Sequence, residues 1–259
     1  MTRPIIALAG INPDNPPSWL TRIHADLAEA YALRHYAKEG LISRLADDYV
    51  ALILVDGDQP DWLYWTATPS SSPATRRIPI FLIATDAATR TQSITSGADR
   101  AFSPDEFVTE WQMLLHDYAR IFDPELVEQL DCECQAPLPP LAQQGLAQFN
   151  AGEFYKQHDS FEALWMATEG PVRDLYRAVL QVGVAYYQIL NGNYRGALKM
   201  LLRSVQWLAV LPDVCQGIDV AALKADSYRV RAALETLPED ENDQFNRDLL
   251  QPVKTISTT

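Results

Sequence analysis

The sequence predicts two domains: an α/β doubly wound parallel sheet of five strands, then an all-α helical bundle. Three observations carry this. Over residues 1–120, short continuous apolar runs alternate with helical stretches, the βαβ grammar of a parallel sheet with right-handed crossovers. From Leu141 to about residue 238, every apolar pattern has helical period. Residues 121–140 lie between, ending in Ala136-Pro137-Leu138-Pro139-Pro140, and read as a stiff linker with a short helix at its start.

The elements follow in order. Ile5–Ala9 is a buried-strand run, Trp19–Tyr31 an amphipathic helix, Ala32–Tyr36 a weaker strand and Lys38–Ala46 a helix. Tyr49–Val55 and Ile78–Ala84 are continuous apolar runs, as expected of strands covered on both faces. A loop rich in Pro, Ser and Thr fills Pro69–Arg77. Ala87–Ser96 is a helix and Arg100–Phe102 a short strand; Pro104–Ala119 is a helix with Ser103 as its N-cap. Asp123-Pro124 opens the short helix of the linker. Four helices then follow, Leu141–Phe149, Glu153–Ala167, Val172–Leu190 and Tyr194–Val210, the last capped by Asn193. Leu211–Gly217 reads as a loop. Asp219 caps a final helix to about Leu237, and residues 239–259 form a polar, frayed tail.

Composition narrows the function. The net charge is −13, with 10 basic and 15 acidic residues up to 122 and 11 and 19 after it. Such a chain repels phosphate backbones, so nucleic acid is not an expected partner. The longest apolar stretches, Val50–Val55 and Ile78–Ala84, are too short to span a bilayer, so no membrane partner is expected either. The N-terminal apolar run is short and followed by Asn12 and Asp14, unlike a signal peptide. The expected location is the cytoplasm. Cys132, Cys134 and Cys215 then read as inert thiols, since Cys132-x-Cys134 lacks a second Cys or His pair at zinc-like spacing. Arg195, Lys199 and Arg203, spaced by four, read as a solvated basic ridge.

Three patterns in the first half resemble the receiver domain of two-component response regulators. Leu52–Asp56 (LILVD) is similar to the strand that ends in the phosphoacceptor aspartate, Ile78–Thr85 (IPIFLIAT) to the fourth strand, and Gly97–Phe102 (GADRAF) to the turn into the fifth. The resemblance implies a flavodoxin-like, receiver-like sheet with Asp56 as its phosphoacceptor. Phosphoryl transfer also needs a metal ion held by carboxylates and a lysine against developing charge. The acidic pair of receivers falls at Ala9 and Gly10 here, their hydroxyl at Ala84, and their lysine at Ser103. The first half is therefore expected to be a pseudo-receiver, used for docking, for dimerisation or for sensing something other than phosphate. The alternative is a working response regulator phosphorylated on Asp56.

Phe149–Trp165 (FNAGEFYKQHDSFEALW) and Arg173–Leu202 resemble the uncharacterised helical family called domain of unknown function 309. That resemblance implies a helical bundle and no known activity. On the helix Glu153–Ala167, His158, Glu162 and Trp165 are spaced i, i+4, i+7 and share one stripe. Glu162 accepting from His158 is the simplest pairing, with Gln181, Tyr187 and Gln188 of the next helix in reserve. Three readings stay open: a structural hydrogen-bond network, a small-molecule or peptide pocket built from His158, Glu162, Trp165, Gln181 and Tyr187, or a metal or catalytic site. The second helix carries no His or acidic residue facing that stripe, so no metal and no cofactor is expected. The chain thus reads as a regulatory or scaffolding protein binding a protein partner or small ligand, with an enzyme centred on His158 and Glu162 as the alternative.

Overall fold

Strand alternation decides the first unit. In β1 (Ile5–Ala9), Ile6 and Leu8 point to one face of the sheet and Ala7 and Ala9 to the other; β3 (Leu52–Asp56) and β4 (Ile80–Ile83) repeat the pattern. With β2 (Ala32–Tyr36) and β5 (Arg100–Phe102) they form a fully parallel sheet in the order β2-β1-β3-β4-β5. Helices α1 (Ser18–Ala30) and α5 (Pro104–Tyr118) cover the face of Ile6, Leu8, Leu54 and Phe81 with Trp19, Leu20, Phe107 and Trp111. Helices α2 (Leu41–Asp47) and α3 (Trp62–Ser71) cover the face of Ala7, Ile53, Val55 and Leu82. Helix α4 (Ala87–Thr95) precedes β5. This computed structural model describes residues 3–237 and 245–256, and the chain divides into two compact units, Met1–Ile121 and Phe122–Thr259.

Two readings of the first unit are corrected. The expected loop Pro69–Arg77 begins inside a helix, since its Pro69, Ser70 and Ser71 form the last turn of α3. Burial of Trp65, Thr66 and Pro69 against the sheet outweighs poor local propensity, while Thr66 and Ser70 hydroxyls back-bond to carbonyls of the preceding turn. Tyr49 belongs to the end of α2 rather than to β3. Its N–H donates to the Ala46 carbonyl and that of Val50 to the Leu45 carbonyl, the Schellman pattern. Glycine usually holds that left-handed position, yet Tyr49 takes it at φ 45°, which costs on the order of 1–2 kcal/mol. Ser103 caps α5 through a reciprocal capping box with Glu106, as the sequence implies.

The second unit is built around α9 (Arg173–Leu190), whose Ala178, Val179, Val182, Ala185, Tyr186 and Ile189 are fully buried. Around it stand α6 (Pro124–Cys134), α7 (Pro140–Asn150), α8 (Phe154–Ala167), α10 (Tyr194–Leu208) and α11 (Val220–Thr236). Helix α8 runs antiparallel to α9: Tyr155 meets Tyr187, Phe161 meets Tyr176, and Trp165 meets Arg177. Asn193 caps α10 and Asp219 caps α11.

The start of the expected linker is no spacer. Leu130 and Cys134 of α6 lie in the helical core, and the Glu133 carboxylate accepts from the Val172 N–H just before α9. The expected loop Leu211–Gly217 contains half of a hairpin, β6 (Val214–Cys215) and β7 (Ile218–Asp219), closed by Gln216 and Gly217, both at positive φ. Gln216 is held there by the Tyr176 hydroxyl, 2.9 Å from its Oε1, and by its own N–H on the Cys134 carbonyl at 2.7 Å. The thiol reading is corrected at the same place: Cys134 and Cys215 form a disulfide, leaving Cys132 as an exposed free thiol. The tail is corrected in part. Phe245 and Val253 are buried, and the Asn150 side chain both donates to the Val253 carbonyl and accepts from its N–H. Residues 239–244 and 257–259 of that tail lie outside the described residues.

The disulfide closes a sequence separation of 81 residues. Cross-linking so long a loop restricts the unfolded chain, so Cys215→Ser should destabilise the second unit by about 4 kcal/mol. Urea unfolding followed by far-ultraviolet circular dichroism measures this. Reductant should bring the wild type down to the variant and leave the variant unmoved; a wild type indifferent to reductant contradicts the cross-link.

Candidate functional site

The carboxyl ends of β1 and β3 flank the point where the strand order reverses, the place where open α/β sheets hold their ligands. Asp56 ends β3 there and is 3% exposed. Its carboxylate is already engaged: Oδ1 accepts from the Asp58 N–H at 3.2 Å and Oδ2 from the Gln59 amide at 3.0 Å. Asp58 does not converge on Asp56. Its Oδ1 accepts instead from the N–H and hydroxyl of Thr85, each at 2.9 Å.

On the β1 side, Gly10 sits at φ 70°, and a Cβ built on it would meet the Trp65 ring at 2.7 Å. The indole therefore fills the space that a side chain following Ala9 would need. Trp65 is fixed in turn by Asp61, whose Oδ2 accepts from the indole N–H at 3.0 Å and pairs with the Lys38 ammonium at 2.9 Å. That ammonium also lies over the Tyr64 ring at 4.9 Å, and the Tyr64 hydroxyl donates to the Lys38 carbonyl. Partial burial pulls the Asp61 carboxyl upward, but Lys38 and the indole outweigh it and hold it below the usual carboxylate range. Among the described residues, no group of three or more His, Cys, Asp or Glu is disposed to hold a metal ion.

In the helical unit the predicted site residues separate into two groups. Trp165 and Gln181 come together around a side chain the sequence reading passed over. Arg177 stacks between two indoles, 4.5 Å from Trp165 and 3.8 Å from Trp207, and Arg173 approaches Trp165 at 5.9 Å. The Trp207 indole N–H donates to Gln181 Oε1 at 3.1 Å, whereas the Trp165 N–H is buried with no hydrogen-bond partner. A guanidinium between two indole faces gains about 1 kcal/mol or more per face when desolvated. The sequence signal was present: Arg173, Arg177 and Gln181 recur at i, i+4, i+8 on an otherwise apolar helix.

His158, Glu162 and Tyr187 do not join that stack. The expected His158–Glu162 pair is not formed: His158 Nδ1 lies 3.2 Å from the neighbouring Asp159 carboxylate, with its side chain 35% exposed. Tyr187 instead lies beside Tyr155, ring centres 6.2 Å apart, both exposed. Helix α8 buries two polar side chains: Ser160, whose hydroxyl donates to Gln148, and Gln157, fully enclosed, whose amide reaches the Leu180 carbonyl at 3.4 Å and would collide with a Cβ on Gly183. Leu201, Val205 and Leu208 of α10 pack against Lys224, Tyr228 and Arg231 of α11 along a shallow groove that encloses no space for a water molecule. Arg231 is already engaged there, over the Tyr228 ring at 4.7 Å and 3.6 Å from Glu235.

Residues 142–200 match the model of the domain of unknown function DUF309. The chain therefore carries that helical domain, covering α8 and α9, most of α7 and the start of α10. An uncharacterized protein of Aquifex aeolicus (strain VF5) is 23% identical over 78 residues, which take in 30% of this chain and 23% of that protein. The likeness thus spans about a quarter of the relative's length. No helix of the described residues is long and apolar enough to cross a membrane.

The depressed Asp61 carboxyl gives the Trp65 latch a pH signature. A lowered folded-state pKa contributes stability that is complete above the ordinary carboxylate value of about 4 and is lost as pH falls through the folded value. Asp61→Asn has no such contribution to lose. The stability gap between wild type and Asp61→Asn, measured by urea unfolding, should therefore narrow between roughly pH 5 and pH 2. A gap that stays constant over that range contradicts the latch.

Proposed function

We propose that this chain is a regulatory or scaffolding protein. Its sheet unit is a receiver-like module without phosphoacceptor chemistry, and its helical unit recognises a protein partner or small ligand. The strand order β2-β1-β3-β4-β5 supports the receiver-like reading, because flavodoxin-like sheets share it. The observation that carries the proposal is the crevice beside Asp56. Where receivers place metal-binding carboxylates, this chain has Ala9 and Gly10, with Trp65 packed on the glycine. Asp56 is left to cap its own turn through Asp58 and Gln59. A module of this kind acts through its surface, by docking or self-association.

Recognition in the helical unit is assigned to the α8–α9 side. There Trp165 and Trp207 flank Arg177, Gln181 accepts from the Trp207 indole, and the exposed Tyr155–Tyr187 pair lies further along the same helices. The alternative of an enzyme centred on His158 and Glu162 is less favoured, because His158 turns to Asp159 instead of Glu162. The proposal is tested by incubating the full chain with acetyl phosphate and Mg²⁺ and reading intact mass. The expected result is no phosphoryl adduct. An adduct that forms on the wild type and is lost in Asp56→Ala would restore the response-regulator reading.

A further inference from the structure

Residues 245–256 are held against the helical unit in the way a bound peptide is held. Apart from one 3-10 turn at Arg247–Leu249, they form no helix. Thr255 pairs in antiparallel register with Ile218 of β7. The Asp219 N–H donates to the Lys254 carbonyl at 3.0 Å, and the Ile256 N–H to the Gly217 carbonyl at 2.7 Å. The segment thus lies as a third strand along the edge of the hairpin that β6 leaves open. On its other side, Asn150 at the end of α7 grips the Val253 backbone twice, donating to its carbonyl at 3.0 Å and accepting from its N–H at 2.8 Å. Two side chains anchor the segment. Val253 is buried, and buried Phe245 lies beside the Tyr194 ring, centres 6.1 Å apart. Main-chain bonds of this kind read an extended conformation, and the side-chain anchors read sequence, which is how peptides are recognised by strand addition.

We propose that the groove between Asn150 and β7 binds an extended segment of a partner protein, and that residues 245–256 are its tethered competitor. The receiving surfaces are fixed by contacts that do not involve the segment. The hairpin is bonded to α6 through Cys134–Cys215, and Gln216 in its turn is held by the Tyr176 hydroxyl and the Cys134 carbonyl. The end of α7 is anchored by Phe149, which packs on Phe154 and Tyr186. The resident segment states the chemistry of the partner: an aromatic anchor at Phe245, then a β-branched aliphatic one eight residues on at Val253. Its charge points the same way. Arg247 and Lys254 outnumber Asp248, whereas the chain after residue 122 carries 11 basic and 19 acidic residues, so a weakly basic segment complements the unit. A tethered competitor acts at an effective concentration on the order of millimolar, so it sets the affinity a partner must exceed. This inference rests on the reading of the helical unit as a recognition module, but at a place apart from the α8–α9 side.

The test uses the full chain and a fluorescent synthetic peptide of residues 245–256, with binding read by anisotropy. Val253→Asp in the chain unseats its own segment. The expected result is saturable uptake of the peptide by the Val253→Asp chain, about tenfold or more tighter than by wild type, whose groove is filled. Adding Asn150→Ala should weaken that uptake about tenfold or more, since two hydrogen bonds are lost. A wild-type measurement guards against a variant that folds poorly. In native-state hydrogen exchange, the amides of Asp219, Val253 and Ile256 should exchange about tenfold or more faster than those of Val182 and Ile189, because the segment opens without the core. Equal exchange rates overturn the proposal, as does a Val253→Asp chain that takes up the peptide no better than wild type. Uptake lost in Tyr187→Ala but indifferent to Asn150→Ala overturns the groove and leaves recognition on the α8–α9 side standing. Self-association of wild type that Val253→Asp abolishes, read by sedimentation, overturns the partner and makes a second copy of this chain the occupant.

Discussion

The contact between the Trp65 indole and the bare backbone of Gly10 is the constraint on which the first unit depends. A parallel sheet of this order opens a crevice between the ends of β1 and β3, and that crevice must be filled by ligand, water or protein. Here protein fills it. The indole can lie there only because Gly10 has no Cβ, and it stays there because Asp61 accepts its N–H while Lys38 neutralises the carboxylate. Asp56, beside it, ends β3 and spends its lone pairs on the turn that follows. The same few side chains thus stabilise the fold and fill the crevice.

The helical unit solves a different problem. Its central helix is buried on nearly every side, so any polar residue on it must find a partner or a π-face. Gln181 finds the Trp207 indole, and Arg177 lies between Trp165 and Trp207. These contacts tie α8, α9 and α10 together at one end. Cys134, Glu133 and Gln216 bind α6 to the hairpin and to the start of α9. The residues matched to the family model, 142–200, include Trp165, Arg177 and Gln181 of the first of these ties.

Much of this was legible in the sequence. Strands buried on both faces announce themselves as continuous apolar runs, and β1, β2 and β5 begin and end where the pattern places them. Helix caps at Ser103, Asn193 and Asp219 were readable from one residue each, because capping is local chemistry. What escaped was decided at long range. Helix α3 carries Pro69 and four Ser or Thr residues, and forms because the sheet buries its Trp65 face. Cys134 and Cys215 are 81 residues apart, so no local spacing marks them as a pair. For the candidate site, Trp165 packs on one face of Arg177 while Gln181 accepts from the Trp207 indole on the other, a convergence of three helices that spacing within one helix does not announce. Helical periodicity ranks Glu162 first for His158, whereas the ring lies beside Asp159.

The claim on which the rest leans is that the crevice is closed to a divalent ion. Amide chemical shifts of the ¹⁵N-labelled chain, followed as Mg²⁺ is added, read this residue by residue. The account predicts that the signals of Ala9, Gly10 and Asp56 to Asp58 stay in place apart from a small, non-saturating drift shared with exposed surface sites. Saturable movement centred on those five amides would contradict it, and would mean that Trp65 yields to an ion seated beside Asp56.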